Sequence, residues 1–81
     1  MADKNDLVEW VLRALRDLGG EGEIVPIAKH IWKHHEKDLR DSGNLFYTWQ
    51  YDMRWAGQRL KQKNKMRKDM EKGKGIWRLI P

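Results

Sequence analysis

The segment MRKDMEKGKGIWRLI, residues 66–80, decides the fold of this chain. Two short runs, 66–70 and 75–80, alternate apolar and polar side chains, and residues 71–74 join them. Period-two alternation on both sides of a turn that contains glycine is typical of a β-hairpin. The sequence therefore predicts that the chain ends in two antiparallel strands.

The second strand of this hairpin has one face suited to a protein core. Trp77 and Leu79 point to one side, whereas Ile76, Arg78 and Ile80 point to the other. A small domain gains much from burying large aromatic rings. We expect Trp77 and Leu79 to face the core.

Two helices are predicted in the first half of the chain. The first starts at Asp6, ends at Gly19-Gly20, and has an apolar face of Leu7, Trp10, Val11, Ala14, Leu15 and Leu18. Residues 21–25 form either an extended link or one short strand. Pro26 opens the second helix, because a residue without an N–H costs least in a first turn. Its inner face consists of Ile27, Ala28, Ile31 and His35.

A third helix precedes the hairpin. Residues 37–44 are predicted to be a loop, and either Ser42 or Asn44 could cap the helix that follows. This helix runs to about Lys63, before Asn64, with an apolar face of Phe46, Trp49, Met53, Ala56, Gly57 and Leu60.

Three helices followed by a hairpin predict an α+β fold, a winged helix-turn-helix in which the C-terminal β-hairpin is the wing. A short strand after the first helix would complete a three-stranded sheet. Residues 1–81 form a single winged-helix domain in this interpretation. The core should contain Trp10, Ile31, Trp49, Met53, Leu60, Trp77 and Leu79.

Composition narrows the class of protein further. The chain has no cysteine, which excludes a disulfide framework and a cysteine-ligated zinc site. No apolar stretch has the roughly 20 residues of a membrane span, and the N-terminus lacks the apolar core of a signal peptide. We expect a cytoplasmic protein of a bacterium or phage, without a membrane partner.

Charge is strongly polarised along the chain. Residues 53–81 carry ten Lys or Arg against two carboxylates, whereas residues 1–24 have a net charge of −3. A concentrated basic surface attracts a phosphate backbone, although a run of charges is more often a solvated surface. This polarity favours double-stranded DNA as the partner.

The outward face of the third helix provides candidate DNA-binding residues. Arg and Gln can bind guanine and adenine edges with two hydrogen bonds, and Tyr and Trp can contact sugars, thymine methyl groups or unstacked bases. The two rings could equally pack under the wing or against the 37–44 loop. The face comprises Tyr47, Tyr51, Arg54, Trp55, Gln58, Lys61 and Gln62.

The wing provides the remaining candidates. Arg67, Lys68, Lys72, Lys74 and Arg78 would reach phosphates or a minor groove, and the glycines of the turn allow close approach of the backbone. The alternative is a hairpin whose charges serve only solubility.

Catalytic and metal-binding patterns are weak. His30, His34 and His35 lie near Glu36 and Asp38, but a zinc site needs three or four ligands in a defined arrangement. The other carboxylates are scattered among basic residues, without a nucleophile–base pair or a phosphate-binding loop. We expect neither an enzyme nor a cofactor, metal or small-molecule substrate.

Three stretches of the chain resemble the N-terminal winged-helix domain of Mrr-type restriction endonucleases. They are 42–44, a Ser-Gly turn before the third helix; 53–61, which contains Trp55-Ala56 and Leu60; and 73–79, a Gly-Ile-Trp-Arg-Leu strand after a Gly-containing turn. The first helix, with Leu15, Leu18 and Gly19-Gly20, is also similar to the family's opening element.

The chain departs from the family pattern in two places. Arg54 directly precedes Trp55, whereas the family spaces the pair more widely, and Asn64-Lys65 stands where the family commonly has Gly-Leu. The family's nuclease domain has no counterpart in these residues. The resemblance therefore implies a restriction-associated module that recognises its target without cleaving it.

Two functions are consistent with these observations. The first is sequence-reading or non-specific binding of duplex DNA through the third helix and the basic wing. The alternative is a protein–protein interaction domain that docks a partner through Tyr51, Trp55 and Trp32, since Trp, Tyr and Arg also dominate protein interfaces. The fold cannot decide between them.

Overall fold

The computed structural model describes residues 2–81 and has the α+β winged-helix layout expected from the sequence. The sheet order is β1-β3-β2, and both pairs are antiparallel, so the short strand after the first helix completes the sheet. Among residues 2–81 there is no helix that is both long and apolar enough to cross a bilayer. The elements are α1 (Lys4–Asp17), β1 (Glu21–Gly22), α2 (Ile24–Arg40), α3 (Leu45–Gln62), β2 (Met66–Glu71) and β3 (Lys74–Leu79).

The hairpin between β2 and β3 has a two-residue turn. Glu71 pairs with Lys74, which leaves Lys72 and Gly73 as the central residues. Their φ angles are 52° and 79°. Positive φ at both positions is what a type I′ turn requires, and the twist of that turn matches the twist of paired strands.

Helix α1 begins earlier than predicted. Asp3, and not Asp6, is the N-cap, and its carboxylate accepts a hydrogen bond from the backbone N–H of Asn5 at 2.8 Å. The Asp6 carboxylate accepts one in return from the backbone N–H of Asp3 at 3.0 Å. Asp6 thus belongs to the capping box as the third helical residue, where its negative charge also suits the helix dipole.

Helix α2 differs from the prediction at both ends. It starts at Ile24, so Pro26 lies within the first turn without opening the helix. It also continues to Arg40 through a break at His35, where φ is −131° and ψ is 17°. Residues 37–40 are therefore helical and not part of a loop, and beyond the break Leu39 is fully buried.

Helix α3 has the predicted extent, but neither candidate residue caps it with its side chain. Asn44 occupies the N-cap position in a helical conformation and makes no capping hydrogen bond. The Ser42 hydroxyl donates to the Leu39 carbonyl at 2.6 Å. Asn64 has a φ of 57°, which confirms it as the left-handed residue after the helix.

The core lies where all three helices meet the sheet. Five of the predicted core residues are buried, whereas Trp10 and Leu79 are half-buried at its edge. Leu18 is exposed, because it follows the last turn of α1. Trp77 is only 5% exposed and joins β3 to the helices. The five predicted core residues that are buried are Ile31, Trp49, Met53, Leu60 and Trp77.

Candidate functional site

Five of the predicted binding residues form one exposed stripe along α3. Their spacing of four, three, four and three residues keeps them on one helix face, opposite the buried Trp49, Met53, Ala56 and Leu60. The side chains of Tyr47 and Tyr51 are 83% and 78% exposed, which is uncommon for tyrosine. The α3 stripe consists of Tyr47, Tyr51, Arg54, Gln58 and Lys61.

The lower half of the α3 stripe borders a cavity shared with the hairpin. Arg54, Gln58 and Lys61 line it from α3, together with Lys68 from β2, and its volume is about 190 Å³. Lys68 is the register partner of Trp77, so both side chains point toward α3. The wing thus contributes one of its cations to the same surface as the stripe.

Close contact between α3 and β3 fixes this arrangement. Gly57 faces the Trp77 ring, and a Cβ atom at Gly57 would lie 2.7 Å from Cη2 of that ring. A distance this short excludes a side chain without movement of the helix or the strand. The absence of a side chain at Gly57 therefore sets how near the wing lies to α3.

The outer face of the sheet has a different character. The Arg78 guanidinium donates to Glu21 at 3.3 Å, to Asp69 at 2.8 Å and to Glu71 at 2.7 Å. These bonds raise the pKa of Arg78, and the hydrogen bond from Arg78 is the main reason that the pKa of Asp69 lies below its ordinary value. We call these four side chains the Arg78 cluster.

The Arg78 cluster changes the expected role of two wing residues. Arg78 is engaged by three carboxylates and does not offer a free guanidinium to a phosphate. Arg67 lies on the same outer face, with its Nε 3.1 Å from the Asp69 carboxylate. The structure therefore separates Arg67 and Arg78 from the α3 stripe, because alternation along a strand sends neighbouring residues to opposite faces.

Lys72 and Lys74 lie at the exposed end of the wing, in and beside the turn. Neither is within ion-pair distance of a carboxylate in residues 2–81. They extend the positive surface beyond Lys68 to the tip of the hairpin.

Trp55 lies at the edge of the α3 stripe and differs from its members in being half-buried. Its ring is half-buried against the core, and the Lys4 ammonium lies 4.5 Å from the ring centroid. The residue sits at the edge of the polar face, about 80° around the helix from Tyr47 at 100° per residue. Its position between α1 and α3 is that of a packing residue.

The three histidines adopt separate roles. The His35 ring stacks on Trp10 with the ring centroids 4.0 Å apart, and burial lowers the pKa of His35. Nε2 of His30 lies 2.9 Å from the Asp17 carboxylate, and this hydrogen bond lowers the pKa of Asp17. Within residues 2–81 no group of three or more His, Asp or Glu side chains is arranged to hold a metal ion.

One signal in the sequence distinguishes the wing residues that face α3 from those on the outer face of the sheet. A two-residue turn fixes the register, and the register places Lys68 with Trp77 and Arg67 with Arg78. The register also places Asp69 and Glu71 on the face of Arg78, whereas Glu21 could not be read in this way because it is 57 residues distant along the chain.

Comparison with known proteins gives no relative from which to infer a role. Family models, curated proteins and solved structures were all searched, and none matches this chain. The likeness to Mrr-type N-terminal domains thus stands on the short motifs of the sequence. The arguments for function come from the α3 stripe, the wing and their charges.

Proposed function

We propose that this chain is a non-catalytic module that binds duplex DNA, with α3 in the major groove and the wing on the adjacent backbone. The observation that carries the proposal is the convergence of Arg54, Gln58, Lys61 and Lys68 on one cavity, at the foot of an exposed stripe. No carboxylate lines that cavity among the residues described. The resemblance to a target-reading domain and an expected place in the bacterial cytoplasm agree with this role.

The dimensions of the α3 stripe suit a major groove. It spans fourteen residue steps, or about 21 Å at 1.5 Å per residue. A major groove is about 12 Å wide and admits an α-helix. Arg54 and Gln58 are one turn apart and project from the same side, so both can reach base edges in one groove. Tyr47 and Tyr51 extend the contact toward the start of the helix.

One of the cations of the wing, Lys72, has an energetically unfavourable backbone conformation. Lys72 adopts a φ of 52°, a region that costs a residue with a Cβ roughly 1–2 kcal/mol and that Asn or Gly occupies more readily. A locally unfavourable residue at the tip of a hairpin is typical of a functional position. We infer that the charge of Lys72 is retained for contact with phosphate.

The experiment measures affinity for duplex DNA at two salt concentrations, about 50 and about 200 mM. We expect micromolar or weaker binding that weakens steeply as salt rises. Replacing Lys68 by Ala should reduce the slope of log K against log salt by about one unit on every sequence. Replacing Arg54 by Ala should cost roughly 1–3 kcal/mol on a preferred sequence and much less on a random one.

Arg59→Ala is the matched control. It removes the same charge from the same helix, but Arg59 lies off the stripe, with its Nη1 3.4 Å from the Gln62 side chain. If Arg54→Ala and Arg59→Ala weaken binding equally on all sequences, α3 does not read bases. If salt leaves the affinity unchanged, phosphate contact is not the mechanism.

The alternative of protein docking through three aromatic residues has less support. Trp32 packs beside Trp49, with ring centroids 6.0 Å apart, on the side of α3 away from Trp55. Tyr51 lies in the α3 stripe, four residues before Trp55 and about 40° around the helix from it at 100° per residue. Trp32 does not share a surface with Tyr51 and Trp55, and the Trp55 ring is half-buried beside the Lys4 ammonium, so a partner could not engage all three rings through a single patch.

A further inference from the structure

An apolar groove runs between α2 and the first half of α3, apart from the cavity at the wing. It has a volume of about 600 Å³ and apolar walls of Val25, Ala28, Trp32, Phe46 and Trp49. Val25 is 58% exposed although it is β-branched and apolar. We call this surface the α2–α3 groove.

The aromatic wall of the groove is held in place. Trp32 stacks on Trp49 with an interplanar angle of 10°, and its centroid is 6.4 Å from that of Phe46. The Arg40 guanidinium lies 5.2 Å from the Trp32 centroid and 5.7 Å from the Phe46 centroid. Rings ordered by stacking and by a cation lose little freedom when a partner binds, which favours recognition.

The charge around the groove has one sign. Lys29 and Lys33 line it, and no carboxylate does so among the described residues. The nearby carboxylate of Glu36 is already bound by Arg40 at 2.8 Å. The groove therefore combines an apolar floor with an uncompensated positive rim.

The spacing of the lysines supports a role in binding. Lys29 and Lys33 are four residues apart before the break at His35, so they are neighbours on one face of α2. Like charges at this spacing destabilise a helix, and none of the ion pairs within residues 2–81 relieves them. A helix face that opposes its own stability in this way is suited to a partner that supplies the missing negative charge.

We propose that the α2–α3 groove binds an acidic amphipathic helix of a partner protein. Apolar residues one turn apart would occupy the groove beside Trp32 and Phe46, and Asp or Glu on the flanks would face Lys29 and Lys33. Helix-in-groove recognition uses this division between apolar anchors and a charged rim. Duplex DNA would satisfy the lysines but has few apolar groups to cover the floor. The proposal does not depend on DNA binding by the α3 stripe.

The test uses the full chain and a synthetic helical peptide with leucines on one face and glutamates on both flanks. A second peptide replaces every glutamate by lysine. Nuclear magnetic resonance follows the indole N–H signals of the tryptophans. We expect the acidic peptide to shift the signals of Trp32 and Trp49 while that of Trp77 stays in place, and the basic peptide to shift none.

Two variants locate the interaction. Val25→Glu places a carboxylate on the groove wall, and since the site is exposed in the first turn of α2 it leaves the fold intact. Lys29→Glu with Lys33→Glu reverses the rim. Each variant should weaken binding of the acidic peptide by about tenfold or more. Lys63→Glu with Lys65→Glu, which changes net charge equally elsewhere, should alter it by less than about twofold.

Several results would overturn the proposal. Equal affinity for the two peptides, no binding of the acidic one, or shifts of the Trp55 or Trp77 signal without shifts of Trp32 and Trp49 would each do so. A further refuting outcome is that reversing Lys29 and Lys33 abolishes DNA binding and leaves peptide binding unchanged. The lysines would then be phosphate contacts.

Discussion

Gly57→Ala should destabilise this protein, although the same change inside most helices is stabilising. The new Cβ would lie 2.7 Å from Cη2 and 2.8 Å from Cζ3 of Trp77. The Trp77 ring is rigid and buried against the helices, so it cannot swing into solvent to make room. Either α3 or β3 must move, and the whole α3–wing contact moves with it.

Two effects of opposite sign set the magnitude. Ala is favoured over Gly by about 1 kcal/mol within a helix. Forcing an additional carbon into a well-packed core costs about 1–3 kcal/mol. The net change is a loss of about 1 kcal/mol in the free energy of unfolding, or about 4–8 °C in Tm for a domain of this size.

Thermal and urea unfolding of four proteins provides the assay: the parent, Gly57→Ala, Trp77→Phe and the double variant. Phe lacks the distal ring atoms that the new Cβ would meet, so Gly57→Ala should be neutral or stabilising in the Trp77→Phe background. The coupling free energy should exceed the scatter of about 0.5 kcal/mol seen for independent sites. If Gly57→Ala raises Tm in the parent, or the coupling is zero, the contact between α3 and β3 is looser than described.

Three further outcomes follow from local features. Lys72→Asn should raise Tm, because Asn tolerates a positive φ, and should weaken binding to all DNA sequences alike; an unchanged Tm would mean that the turn carries no strain. The pKa of Asp69 is lowered in the folded protein, so the stabilising contribution of the Asp69 carboxylate is present above the ordinary value of 3.8 and is lost as pH falls through the lower folded value. Acid should therefore destabilise the parent more than it destabilises Arg78→Met. Urea midpoints of both proteins between about pH 6 and about pH 3 measure the difference. Burial lowers the pKa of His35, so folding favours the neutral ring and stability should fall as pH decreases below 6.5; a proton resonance titration of His35 with a midpoint at or above 6.5 would contradict the packing on Trp10.

Much of the fold could be predicted because short-range rules determine it. The alternation around the 71–74 turn specified the hairpin, and the period of α3 separated Met53 and Leu60 from Arg54 and Gln58. These signals depend on residues close in sequence. They can therefore be recognised in the sequence without knowledge of any tertiary contact.

Two of the errors concern tertiary contacts, and a third concerns charge pairing within the hairpin. The sequence predicts too early an end for α2 because Leu39 stands alone in a polar stretch, and only burial of Leu39 in the core explains why the helix continues past His35. Arg67 and Arg78 are free cations only if charges are summed without pairing them, because Asp69 and Glu71 lie on the same face of the hairpin and only Glu21 is distant in sequence. Trp55 lies at the edge of a polar face, where periodicity does not say whether a ring packs inward.

The Arg78 cluster also gives the electric field of the molecule a direction. It gathers the carboxylates of Glu21, Asp69 and Glu71 on the outer face of the sheet, where they cancel a guanidinium. Lys68, on the opposite face of β2, remains uncompensated beside the α3 stripe. A polyanion that approaches from a distance meets an oriented field, which turns the protein before the two surfaces touch and speeds productive encounters at low ionic strength. A charge change at Asp69, remote from any contact, should then alter how fast a complex forms more than how long it lasts.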